Sequence, residues 1–172
     1  TMSKLSKKML AQVYGAYPEK ISVLHHGVPD FKMEDRETMK QREGFGGNVV
    51  VSTFGLLSPG KGLEYGIEAI AKVAAKHPEV RYLVLGQTHP VVKRENGEAY
   101  REKLVALTEA LGVKDKVIFV DKYLYKPDIL HYLTLTDIYM TPYLGRDQAV
   151  SGTLAYAIGC GRVVVSTPYL YA

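Results

Sequence analysis

The sequence predicts an α/β domain, a doubly wound parallel sheet with helices on both faces. Three observations carry this. Apolar stretches such as Val49-Val50-Val51 and Val163-Val164-Val165 are continuous rather than alternating, as strands covered on both sides require. The segments between them carry helical stripes of apolar residues. The segments that follow the strands hold glycines and polar groups, and the carboxyl ends of such strands are where these sheets bind ligands.

Taken in order, residues 1–17 read as a basic amphipathic helix with Leu5, Met9 and Val13 on one face. Residues 1–20 thus lead into a domain spanning 21–172. Ile21-Ser22-Val23-Leu24-His25 reads as a short strand, running into a loop by its Gly27 and Pro29. Residues 32–47 are charged and end in Gly44, Gly46 and Gly47. They read as a surface connection, and the glycines are no dinucleotide fingerprint, because a strand follows them instead of a helix. That strand is 49–53. A helix after Gly62 puts Leu63, Ile67, Ile70, Ala71 and Ala74 on one stripe. Residues 81–85 form a strand ending at Gly86, and 87–97 a polar loop. The next helix carries Tyr100, Leu104, Leu107 and Leu111 and stops at Gly112. Strand 117–120, a short helix over 127–135 and strand 138–141 follow. After a loop at 143–150, Ser151 can cap a helix running to about Gly159. Residues 163–166 are the last strand. The sequence shows no internal repeat.

The 172 residues are enough for one domain with a real core. With 47% hydrophobic and 23% charged residues the chain has the composition of a soluble globular protein. Its net charge of +4 is mild and the basic residues are scattered. That argues against nucleic acid or a membrane surface and suits a small anionic ligand. One cysteine, Cys160, excludes an internal disulfide and reads as a buried structural thiol. There is neither a membrane-length apolar run nor a signal peptide, so the expected compartment is the cytoplasm. The chain opens inside a helix and stops just after a strand, so truncation at both ends is expected.

The stretch from 49 to 70 is the most informative. A strand ends at Gly55, a Gly/Pro-rich loop holds one cation, Lys61, and a helix begins at about Leu63. Helix N-termini favour anions and disfavour cations. A lysine between Gly60 and Gly62 therefore points to a phosphate there, against the alternative of a solvated loop lysine. Ser151-Gly152-Thr153 is a second such place, able to donate several hydrogen bonds to a diphosphate, or no more than a serine cap. His25, His26 and His89 stand apart from other ligand types, so no metal is expected. His25 and His26 fit a structural role or a ligand contact equally. Asp147 can orient a sugar hydroxyl or pair with Arg146. Tyr156 fits the core, though its hydroxyl could meet a ribose. Neither a nucleophile elbow nor an NTPase phosphate loop is present.

Four stretches in order resemble the C-terminal domain of retaining glycosyltransferases of the GT-B fold, the family 4 or group 1 class. They are KISVLHHGVPD, FGLLSPGKGLEYGIEAI, YLVLGQTHP and DIYMTPYLGRDQAVSGTLAYAIGCGRVVVSTP. The resemblance implies a domain that binds a nucleoside diphosphate sugar and moves a hexose to an acceptor hydroxyl, without a cofactor or an essential metal. It implies that Gly55 approaches the donor phosphate, Lys61 binds the diphosphate and Gly86 lets the nucleotide lie close. Val120 would lie near the base, and Ser151, Gly152 and Thr153 would offer groups to the diphosphate. Leu56 stands where the family has a phosphate-binding arginine. Gln148 and Tyr156 stand where it has two glutamates, one near the sugar and one on the ribose. Asp147 or Gln148 is then the candidate for the sugar contact, with Lys61 the other candidate for chemistry. The partners implied are the sugar nucleotide and an N-terminal acceptor domain, through which alone a membrane could be touched; the isolated chain would transfer little. A phosphorylase or epimerase of the same fold, and a non-catalytic nucleotide-binding module, are the competing readings.

Overall fold

The computed structural model describes residues 1–30 and 32–172, and among them five strands form one all-parallel sheet in the order β3-β2-β1-β4-β5. The strands are β1 (Val49–Phe54), β2 (Val80–Leu85), β3 (Val117–Val120), β4 (Ile138–Thr141) and β5 (Val163–Ser166). Seven α-helices accompany them: α1 (Lys4–Tyr14), α2 (Arg36–Arg42), α3 (Leu63–Ala74), α4 (Pro90–Asn96), α5 (Ala99–Ala110), α6 (Lys126–Leu135) and α7 (Gly152–Gly159). The predicted doubly wound α/β class is the observed one.

Two cores explain why the strands are apolar throughout. Side chains alternate across a strand. Val51, Val80, Tyr82 and Val84 therefore face Leu63, Ile67 and Ile70 of α3 and Tyr100 and Leu104 of α5. Val50, Leu83 and Leu85 face the other way, onto Leu133 of α6 and Ala157 and Cys160 around α7. Cys160 is buried, as the sequence suggests. Burial pushes its thiol up, the nearby Arg162 opposing only in part. A raised thiol is no nucleophile.

The strand order reverses between β1 and β4. Their ladder holds only at Val51–Ile138 and Ser52–Tyr139. Beyond that the two strands part, and the Thr53 hydroxyl closes the gap by donating to the Met140 carbonyl at 2.6 Å. A crevice opens above this point, the place where open parallel sheets receive ligands.

The structure corrects the sequence reading in four places. Residues 21–25 join no sheet; Leu24 donates its backbone N–H to Thr1 instead. An apolar pattern alone cannot supply a partner strand. The surface connection 32–47 contains α2, started by Asp35, whose carboxylate accepts from the Thr38 N–H at 2.9 Å. The polar loop 87–97 contains α4, with Pro90 in its first turn, His89 capping Val91 N–H and the chain leaving at Gly97. Lastly, β5 is not covered on both faces: Val163 and Val165 are 63% and 54% exposed. Beside them an apolar groove of about 350 Å³ runs past Val73, Ile138 and Met140. On α1, Met9 and Val13 are exposed as well.

Candidate functional site

The site is built from the loops that follow β1, β2, β3 and β4. After β1 the chain turns at Gly55, whose φ of 142° belongs to glycine. It continues through Leu56 into a 3-10 turn, Pro59–Lys61, and reaches α3 through Gly62. A side chain at Gly62 would meet the Pro142 carbonyl at 2.1 Å, and Leu144 donates its N–H to the Gly60 carbonyl at 3.1 Å. The lysine loop is therefore clamped against the loop after β4.

That clamp sets Lys61 above Tyr143. The ammonium lies 3.9 Å from the centre of the Tyr143 ring, a cation–π contact. Among the described residues no carboxylate is within ion-pair distance of Lys61. The Tyr143 hydroxyl shares a hydrogen bond with Thr153 at 3.2 Å, and Thr153 shares another with Ser151 at 3.2 Å. Tyr143 itself is buried and stacked on Tyr169, centroids 5.5 Å apart. Lys61 and the start of α7 are thus brought to one point by an aromatic ring that sequence reasoning passed over. Its one legible sign is its place just after strand 138–141.

Ser151 accepts from the Leu154 N–H at 3.3 Å and is 3% exposed. Its hydroxyl is occupied by capping α7. Thr153 is the group that turns toward the cleft, where it lies with Gly55 and Gly86 along a hollow of about 220 Å³. Lys122, Tyr123 and Leu124 line the far wall of this hollow. Val120 does not, because its side chain packs in the core and its carbonyl accepts the Gly86 N–H at 3.0 Å. Lys122 is held by Asp128 at 2.8 Å. That hydrogen bond raises the lysine pKa and lowers that of the carboxyl.

At Gly86 the missing side chain makes room for another stretch of backbone. A side chain there would meet the Gly55 carbonyl at 2.1 Å. The loops after β1 and β2 lie that close and then run together, Leu57 donating its N–H to Gln87 and accepting from His89. Arg101 of α5 locks the same corner, donating to the Gly86 carbonyl at 2.8 Å and pairing with Asp121 at 2.7 Å.

The remaining candidates stand apart. Asp147 is exposed and makes no ion pair with Arg146 among the described residues. Gln148 turns its amide back onto the Val150 carbonyl at 3.0 Å. Tyr156 packs edge-on against His26, centroids 5.6 Å apart. His26 itself seats over Gly152: a side chain on that glycine would meet the His26 Nε2 at 2.6 Å, just as one on Gly159 would meet Val28. Residues 26–28 therefore lie along α7 as a strap, over glycines spaced two turns apart. Leu56 lines the hollow with an apolar side chain. No group of three or more potential metal ligands occurs among the described residues, and none of their helices is long and apolar enough to cross a membrane.

A glycine loop with a lysine that has no carboxylate partner thus stands across the switch point of a parallel sheet from a hydroxyl-bearing helix start. A profile of the group 1 glycosyl transferases matches residues 48–170. The chain belongs to this family. Its relatives include the D-inositol 3-phosphate glycosyltransferase of Mycobacterium sp. (strain KMS), 28% identical over 167 residues, which cover 95% of this chain and 35% of the relative. The chain thus spans about a third of the length of the curated relatives it matches. Among solved structures, Anabaena Alr3699/HepE in complex with UDP-glucose superposes with a TM-score of 0.76 at 22% identity, over 98% of this chain and 44% of that one. The C-terminal domain of a group 1 family glycosyl transferase, LpcC of Francisella tularensis, gives a TM-score of 0.67 at 18% identity, over 79% of this chain and 66% of that one. The fold is that of the GT-B glycosyltransferases, seen here in its C-terminal half.

Proposed function

We propose that this chain is the donor-binding part of a retaining glycosyltransferase, taking a nucleoside diphosphate sugar and passing its hexose to an acceptor hydroxyl. The observation that carries the reading is the meeting of Lys61, Tyr143 and Thr153 at the β1–β4 crevice. Transfer breaks the bond between the anomeric carbon and the diphosphate, and charge develops on the departing oxygen. Lys61 and the amides at the start of α7 face that charge, a preorganised electrostatic contribution that needs no metal. The hollow walled by Gly86, Lys122 and Tyr123 has room for the nucleoside. The UDP-glucose complex of HepE and the names of the mycobacterial relatives support this choice of ligand. The acceptor site and the residues that close over it belong to an N-terminal domain of the longer protein, and the cytoplasm is the compartment where sugar nucleotides are met.

The non-catalytic reading has one specific observation in its favour. Gln148 and Tyr156 stand where the family has glutamates, and both are turned to other partners. Calorimetry with UDP-glucose, GDP-glucose and ADP-glucose tests donor binding, and donor hydrolysis by the full-length protein tests catalysis. Binding of one donor with hydrolysis supports the transferase. Binding without hydrolysis favours the module, and no binding overturns both.

A further inference from the structure

We propose that Tyr143 is a positioning residue of the phosphate cleft, acting through Lys61. The inference rests on the donor-binding reading. A lysine on a four-carbon stem has many rotamers, and fixing one costs entropy at the moment of binding. Here one face of the Lys61 ammonium is spent on the Tyr143 ring at 3.9 Å. An ammonium carries three N–H donors in a spread, so donors remain for a second partner. The ring is not itself free to move. It is 3% exposed, stacked on Tyr169, and tied at its hydroxyl to Thr153. Tyr169 follows β5, so the seat of Lys61 is supported from the far edge of the sheet. The Lys61 ammonium therefore takes its place from a ring that is itself fixed on three sides. The two contacts are separable, since a phenylalanine keeps the ring and loses the hydroxyl.

The test is a double-mutant cycle on UDP affinity, measured by calorimetry with the wild type, Lys61→Met, Tyr143→Leu, Tyr143→Phe and the two double variants. Lys61→Met is expected to weaken UDP binding about 10-fold or more, the effect of losing a charged hydrogen bond. Tyr143→Leu should weaken it about 3–10-fold with Lys61 present, the scale of one cation–π contact, and not at all in the Lys61→Met background. Tyr143→Phe should restore the coupling to Lys61. A merely structural tyrosine would give equal losses in both backgrounds, and that result overturns the inference while leaving donor binding intact. Should Tyr143→Leu fail to fold, the Tyr143→Phe pair decides alone: loss of coupling to Lys61 in that folded variant overturns the proposal. Absence of UDP binding by the wild type overturns the donor reading and the inference with it.

Discussion

Lys40 and Asp137 lie 97 residues apart in sequence and 3.0 Å apart in the fold, with the lysine side chain only 5% exposed. The same carboxylate oxygen accepts the Val50 N–H at 2.8 Å, and the Asp137 N–H is donated to the Val50 carbonyl. One aspartate thus fastens α2 to the beginning of β1, at the end of the sheet opposite the cleft.

Removing that carboxylate leaves the buried ammonium only Glu37, at 3.2 Å, and takes the side-chain acceptor from the Val50 N–H. Asp137→Ala is expected to cost about 3 kcal/mol, the low end of the range for breaking a buried pair from one side. Lys40→Met should cost less, since Asp137 retains Val50 and Arg36. Denaturant unfolding of the two variants checks both the loss and its asymmetry.

Gly62 is pinned twice, by a φ of 59° and by the Pro142 carbonyl where a side chain would go. Gly62→Ala should cost at least about 2 kcal/mol from strain and displacement. It should also lower UDP affinity, because the clamp that aims Lys61 opens. A variant with wild-type stability and affinity would show that the clamp is unnecessary.

Glu64, in the first turn of α3, gives a pH signature. Burial alone would raise its pKa, but bonds from its own backbone, Tyr100 and Lys103 outweigh that and bring it below the ordinary 4.5. A depressed carboxyl stabilises the fold above its unfolded pKa and loses that contribution as pH falls through the folded value. Glu64→Gln should therefore melt lower than the wild type at pH 7. The gap should close on acidification below about 4.5, as paired melting curves across pH would record.

The cleft binds its anion through protein groups alone in the proposed reading. EDTA should leave UDP affinity unchanged, whereas Lys61→Ala should weaken it by ~1.5–3 kcal/mol. Raising salt should weaken it too, because the screening length shrinks from about 8 Å at physiological strength. Recovery of binding only on addition of magnesium or manganese would contradict this reading.

The uncovered face of β5 makes a solution prediction. Val163 and Val165 expose apolar surface beside the groove at Val73. The chain should self-associate at high concentration, and Val165→Thr should reduce this at a stability cost within about 0.5 kcal/mol. Sedimentation of both proteins over a concentration series measures it.

Strands β1 to β5 and the cap at Ser151 were legible because their causes are local: continuous apolar runs and a hydroxyl before a helix. The loop that carries Lys61 was legible for the same reason, from its glycines and proline. Helix α2 was not, since its buried face includes a lysine whose partner is far along the chain; Asp35 before Thr38 was the local sign of it. Residues 21–25 have the composition of a strand but meet no neighbouring ladder, Leu24 bonding to Thr1 instead. Tyr143 stayed hidden because its meaning lies in two neighbours, Lys61 and Thr153, that come together only when the loops after β1 and β4 close on each other. That Val120 ends its strand on Gly86, while Lys122, Tyr123 and Leu124 wall the hollow, depends on how the loops after β2 and β3 meet and left no mark in the local sequence.

The strap over α7 bears on how this helix can be interrogated. Gly152 answers two demands at once: it offers a bare amide at the helix start, and it makes room for the imidazole of His26. No substitution there can tell one demand from the other. Loss of ligand in Gly152→Ala would report an expelled histidine as readily as a spoiled anion seat. Its neighbour Thr153 lines the hollow beside Gly55 and Gly86 and is the place to probe the helix start without moving the imidazole.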